Sequence, residues 1–264
     1  MSERKLAVSG QFYPDNKDEL ERYINHFNDV LEQNNIVIDE NLKARAIIVP
    51  HAGYVYSGFT ANIAYKYIPK NAKNIIVIGP SHKYAFEGAS VALYDEYPTP
   101  FGNLSINEQL SKELICNYEF LTFNDTVHCE HSTETQFPFI KNYKENIKVV
   151  EIVYSDIDFN RLANVIEELL EDKNNFVVIS TDLSHFHDIK KANSLDNICL
   201  DAISNKSIDS LDKGCEACGM TGVKAMIEVS NKLNLDTKIL DYRTSADTTN
   251  DQSSVVGYVS SIIY

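Results

Sequence analysis

The sequence predicts a three-layer α/β/α protein on a mostly parallel or mixed central sheet, as one domain spanning residues 1–264. Two observations carry that expectation. Short apolar runs are continuous rather than alternating, as in strands covered on both faces. Longer segments with apolar residues at helical spacing lie between them, and such alternation implies a sheet wrapped by helices.

Taken in order, Asp18 to Gln33 is the first helical segment, with Leu20, Tyr23, Ile24, Phe27 and Leu31 on one face. Ala46-Ile47-Ile48-Val49 and Ile75-Ile76-Val77-Ile78 are the first two strands. Ala89 to Leu104, broken by Pro98 and Pro100, reads as an excursion or an antiparallel pair. Val149 to Tyr154 and Phe176 to Ile179 continue the strand series. Between them Phe159 to Glu171 sets Leu162, Val165, Ile166 and Leu169 on one helical face. A third helix runs from about Gly219 to Leu233, and Lys238–Tyr242 and Ser254–Ile263 are two final strands. Gly and Pro are sparse, and no linker, repeat or low-complexity tract divides the chain.

Asp and Glu number 38 against 24 Lys and Arg, a formal charge of −14. That balance argues against nucleic acid or an anionic membrane as partner, since both need a positive face. No run approaches the roughly 18 apolar residues of a membrane helix. Met1 to Gly10 has no apolar stretch behind Arg4 and Lys5, so no signal peptide is expected. Five scattered cysteines do not read as a secreted disulfide framework, and a reducing cytoplasm is the expected location.

The informative feature is where the histidines fall. His51 follows the first strand as Val49-Pro50-His51, His82 the second as Gly79-Pro80-Ser81-His82, and Asp182-Leu183-Ser184-His185 the Phe176 strand. Carboxyl ends of strands in open α/β sheets are where ligands bind, so three imidazoles distant in sequence converge on one crevice. Imidazole is the commonest metal ligand and the usual acid/base near neutral pH. Two histidines and a carboxylate make a non-haem Fe(II) site, and Asp182 shares the loop of His185. Glu130-His131-Ser132-Thr133-Glu134-Thr135-Gln136 is a second polar cluster. On a helix His131, Glu134 and Thr135 share a face and offer a supporting carboxylate or proton shuttle. The alternative is a plain helix start with Ser132 or Thr133 near the N-cap. Cys215-Glu216-Ala217-Cys218 is a lone CxxC, a poor zinc site without a second pair or nearby histidines. His26 and His128 carry no signal, and His187 is equally a solvent-facing neighbour of His185 or a participant. No GxSxG, GxxxxGK[ST], GxGxxG or HExxH motif is present.

Beyond these signals, the chain resembles the Memo family, also called the B component of the AmmeMemoRadiSam set. The resemblance rests on Val8-Ser9-Gly10-Gln11-Phe12-Tyr13-Pro14, Pro50-His51-Ala52-Gly53-Tyr54-Val55-Tyr56-Ser57-Gly58, Gly79-Pro80-Ser81-His82 and Glu130 to Phe139. It continues through Asp182-Leu183-Ser184-His185, Cys218-Gly219 and the tail from Thr244 to Tyr258. The resemblance implies a fold similar to class III extradiol dioxygenases. It also implies a divalent metal, Fe(II) first and copper or zinc as alternatives, on His51 and His82, with His185 as acid/base beside Asp182. Animal members carry a cysteine ligand where this chain has Thr248, and neighbouring Asp247 is the expected third ligand. Animal members are described as motility adaptors that bind iron or copper; microbial members often accompany a radical-SAM protein.

The expected function is metal-dependent redox chemistry on a small substrate, with His131 and Glu134 assisting His185 and Asp182. Two rivals stand beside it. One is a scaffold holding a peptide or partner against Tyr54, Tyr56 and Pro98-Thr99-Pro100. The other is metal-assisted hydrolysis with Glu134 or His185 as base.

Overall fold

A computed structural model describes residues 4–264. The chain begins with α1 (Lys17–Gln33), β1 (Ala46–Val49), α2 (Tyr54–Tyr65) and β2 (Asn74–Pro80). An excursion follows: β3 (Ala89–Val91), β4 (Glu96–Tyr97), β5 (Leu104–Ile106), α3 (Glu108–Asn117) and β6 (Leu121–Thr122). Next come α4 (His131–Glu134), α5 (Phe137–Tyr143), β7 (Lys148–Tyr154), α6 (Phe159–Glu171), β8 (Asn175–Ser180) and β9 (His185–His187). The chain closes with α7 (Ile189–Ser204), α8 (Ile208–Leu211), α9 (Met220–Lys232), β10 (Thr237–Thr244), α10 (Ala246–Thr249) and β11 (Val255–Ile263).

The main sheet runs β10-β11-β1-β8-β2-β7-β3-β6. Its centre, β1-β8-β2-β7, is parallel; β11 joins β1 antiparallel and β3 joins β7 antiparallel. Each continuous apolar run divides between the two faces. Ala46 and Ile48 of β1, Ile76 and Ile78 of β2, and Val177 and Ile179 of β8 pack with α6, α7 and α9. Ile47 and Val49, Ile75 and Val77, and Phe176 and Val178 pack with α1, α2 and α5. A fully buried Val, Ile or Phe side chain contributes about 1.5–3 kcal/mol, which lets a strand of four residues hold a central place. The three-layer architecture expected from sequence is the one observed.

The three helices that apolar periodicity placed form as α1, α6 and α9, whereas α2, α3 and α7 had not been expected. In α1 the Asn16 side chain accepts from the Glu19 amide, fixing the start, and Leu20, Ile24, Phe27 and Leu31 are buried. The Ala89–Leu104 excursion holds β3 and β4 and ends on the first residue of β5, the antiparallel partner of β4. No helix among the described residues is long and apolar enough to cross a membrane. One pairing departs from the reading of scattered cysteines: Cys199 of α7 is disulfide-bonded to Cys215, 16 residues on. Packing of α7 against the turn before α9 brings the two together, which no local spacing could reveal.

The parallel register places the carboxyl ends of three strands side by side, with Val49 opposite Ser180 and Ile78 opposite Ile179. The N-terminal segment is drawn across the same end. Glu134 accepts hydrogen bonds from the amides of Ala7 and Val8 and from the Tyr13 hydroxyl, and Arg4 pairs with Glu134 at 2.6 Å and Glu151 at 3.0 Å.

Candidate metal centre

His51, His82 and His131 stand together at the carboxyl ends of β1, β2 and β8. Their ring centroids are 5.1 Å apart for His51–His82, 5.3 Å for His51–His131 and 4.4 Å for His82–His131. Pro50, Gly79 and Pro80 end their strands and turn the chain outward there. At Gly79 a Cβ would meet Ser132 Oγ at 2.6 Å, so glycine lets the loop carrying His131 close on β2.

Each imidazole is held by Nδ1. The Ser180 hydroxyl donates its one proton to the Ser132 carbonyl, so its contact with His51 Nδ1 at 2.9 Å is one in which the ring donates. The Nε2 of His51 therefore keeps its lone pair. Glu130, buried at the N-cap of α4, accepts from His82 Nδ1 at 3.1 Å and His131 Nδ1 at 2.9 Å. It also accepts from the His82 amide at 2.7 Å and the Ser132 amide at 3.1 Å. Burial alone would raise the Glu130 carboxyl, yet the hydrogen bonds from His131 and His82 hold it well below the usual carboxylate range. Imidazoles with Nδ1 held by a carboxylate or hydroxyl and Nε2 free are the usual state of metal-binding histidines.

The third kind of donor is Cys218. Its Sγ lies 3.3 Å from His51 Nε2, and the Asp182 amide donates to it at 3.2 Å. His51, His82 and Cys218 present donor atoms all within 4.8 Å of one another. A second such group, His82, Glu130 and His131, is the hydrogen-bonded assembly around Glu130. Burial, then the neighbouring Asp182, pushes the Cys218 thiol up to about 12. Burial, then the nearby His131 and His82, pushes His51 well below its ordinary value, so both groups are uncharged in the metal-free protein. Asp182 is also buried and its carboxyl is raised by that burial; Oδ1 accepts from the His51 amide at 2.8 Å and Oδ2 lies 3.9 Å from His51 Nε2. His185 binds the Leu183 carbonyl through Nδ1 at 2.8 Å, leaving its Nε2 free as well.

His51, His82 and His131 thus come together, with Asp182 at their edge and His185 on the same loop. Two expected residues lie elsewhere. Asp247 belongs to neither donor cluster; its Oδ2 accepts from the Thr244 amide and hydroxyl. Thr248 donates to the Val55 carbonyl. Glu134 is buried against Arg4, Val8 and Tyr13, so its face of α4 looks into the N-terminal segment and away from the histidines. The carboxylate hydrogen-bonded to His82 and His131 is that of Glu130, not Glu134. Tyr54 does not line an outer surface: it is buried, and its hydroxyl donates to the Thr135 carbonyl. His128 is buried between Ser90 and Glu151 at 2.8 and 2.9 Å. The CxxC supplies one residue to each of two tasks, Cys215 to the disulfide and Cys218 to the donor cluster.

A sequence profile of the Memo-like proteins matches residues 4–262. This chain belongs to the Memo family. Among its relatives, a MEMO1 family protein of Aquifex aeolicus (strain VF5) is 33% identical, covering 99% of each chain. One from Methanobrevibacter smithii (strain ATCC 35061 / DSM 861 / OCM 144 / PS) is 33% identical over 98% of this chain and 99% of its own. One from Nitrosopumilus maritimus (strain SCM1) is 31% identical over 97% of both. This Memo chain gathers imidazoles and a thiol within reach of one another at the carboxyl edge of its parallel strands.

Proposed function

We propose that the protein holds one transition-metal ion on His51 Nε2, His82 Nε2 and Cys218 Sγ, with His131 as a further imidazole, and uses it in redox chemistry on a small molecule. The observation that carries this reading is that three clustered imidazoles all spend Nδ1 on acceptors beside a free thiol. Nitrogen and sulfur donors suit iron(II), copper or zinc and disfavour magnesium or calcium, which want oxygen. When bound, such an ion supplies Lewis acidity and, as iron or copper, electron transfer. The chain's own groups do the rest. His185, fixed by the Leu183 carbonyl, presents Nε2 to take or return a proton, and Asp182 is oriented by the His51 amide. Glu134 is committed to Arg4 and the N-terminal segment, which leaves His185 as the remaining base for a hydrolytic reading.

The test is metal analysis after anaerobic loading with Fe(II), Cu(I) or Zn(II). About one equivalent is expected in the wild type and almost none in His51→Ala/His82→Ala. Cobalt-loaded wild type should show a thiolate charge-transfer band that Cys218→Ser lacks. Equal metal content in the wild type and the double variant overturns the reading.

A further inference from the structure

We propose that Phe186 is a ligand-contacting residue of the crevice, and that it selects small molecules carrying a flat apolar ring beside the group that meets the metal. The proposal rests on the metal reading above and adds the class of ligand.

Among the described residues, five that are not glycine have φ in the left-handed region. Asn35, Asn234 and Asn250 are asparagines, and Lys206 directly follows the C-cap of α7, so all four lie at or just beyond helix ends, where this conformation is ordinary. Phe186, at φ 63°, is neither small nor at a helix end. It lies inside β9, where a bulky side chain in this region is an outlier held by its surroundings. Those surroundings are visible. His185 pairs with Val256 and His187 with the adjacent Val255, so Phe186 is the extra residue of a β-bulge. His187 is further tied to Glu216 at 2.7 Å. A bulge residue in the left-handed region is normally glycine, and bulges next to active sites re-aim a side chain.

The ring so aimed is 77% exposed, the most solvent-accessible aromatic among the described residues. It is also in edge contact with the His185 ring, centroid to centroid 5.6 Å. Packing does not explain it, because so exposed a ring buries little. A second aromatic stands at another side of the centre, with Phe12 edge-on to His131 at 5.2 Å. Strained backbone, an exposed ring and contact with the free-Nε2 histidine together place an apolar surface where a ligand enters. Aromatic rings favour offset or edge-to-face contact with other rings, so the partner they select is a flat ring.

The experiment uses Co(II)-loaded protein titrated with imidazole and with 4-phenylimidazole, both of which meet a metal through nitrogen; only the second adds an apolar phenyl ring. The wild type should bind 4-phenylimidazole at least tenfold more tightly than imidazole. Phe186→Gly should erase that increment, leave imidazole affinity unchanged and keep or raise Tm, since glycine adopts the bulge conformation without strain. Phe186→Trp should retain the increment. The proposal is overturned if Phe186→Gly keeps the increment, or if its Tm falls by several degrees, which would mark a structural role. If cobalt-loaded wild type binds neither ligand, this proposal is overturned and the metal reading stands; if the wild type takes up no cobalt, both fall.

Discussion

At the residue scale, Glu130 is the group on which the centre turns, because one carboxylate orients two imidazoles and the loop that carries them. Replacing a group that orients metal ligands typically lowers metal affinity 10- to 100-fold. Glu130→Gln should therefore lose roughly that factor in competition with a chelating dye while keeping a native circular dichroism spectrum. The sequence marked the segment but chose Glu134, on the assumption of a helix facing the crevice. The helix is only four residues long, and the side chain turned back toward its start is the N-cap, Glu130. Glu151 presents a separate case, buried between Arg4 and His128. Burial would raise its carboxyl, but Arg4 and His128 bring it down to about 2 from 4.5. A lowered carboxyl stabilises the fold above its unfolded value and loses that contribution as pH falls from about 4.5 through about 2. Glu151→Gln leaves Arg4 partly uncompensated, and urea unfolding at neutral pH should show a loss of about 3–5 kcal/mol. The difference between variant and wild type should shrink across that acid window.

At the element scale, α9 delivers Cys218, and Gly219 sets how closely it does so. A Cβ at Gly219 would meet the Ser180 carbonyl at 2.7 Å and Thr181 Oγ1 at 2.8 Å. Gly219→Ala should push the start of α9 from β8, move Cys218 from His51 and weaken the cobalt charge-transfer band of the wild type. The helical face of α9 and the strands around it were readable, because amphipathic spacing and continuous apolar runs are local signals. The role of Cys218 was not. Its contact with His51 spans 167 positions, and the histidines the motif reading lacked nearby in sequence are supplied by tertiary packing. His51 and His82 were legible for the opposite reason, since each follows a strand end and parallel strands align their ends.

For the whole molecule, a sheet covered on both faces concentrates stability at its centre. Amide exchange should be slowest in β1, β8, β2 and β7, whose side chains are nearly all buried, and fastest in the 34–43 connection and the β4–β5 excursion. Equal protection of centre and connection would contradict this layering. Acids such as Glu167, Glu168, Glu171 and Asp172 lie at half-buried or exposed positions outside the layering. At the centre the donors His51, His82 and Cys218 count as neutral, and Glu130 and Asp182 are the acids kept inside. The strand order has one more effect, on how the chain is made. The last strand, β11, lies between β10 and β1, so the first strand synthesised waits for the final one. Until residues 255–263 emerge, β1 offers an unpaired edge that other nascent chains can join. A stop codon at residue 255 would thus open a seam inside the sheet, and the product to expect is an aggregate rather than a shortened protein.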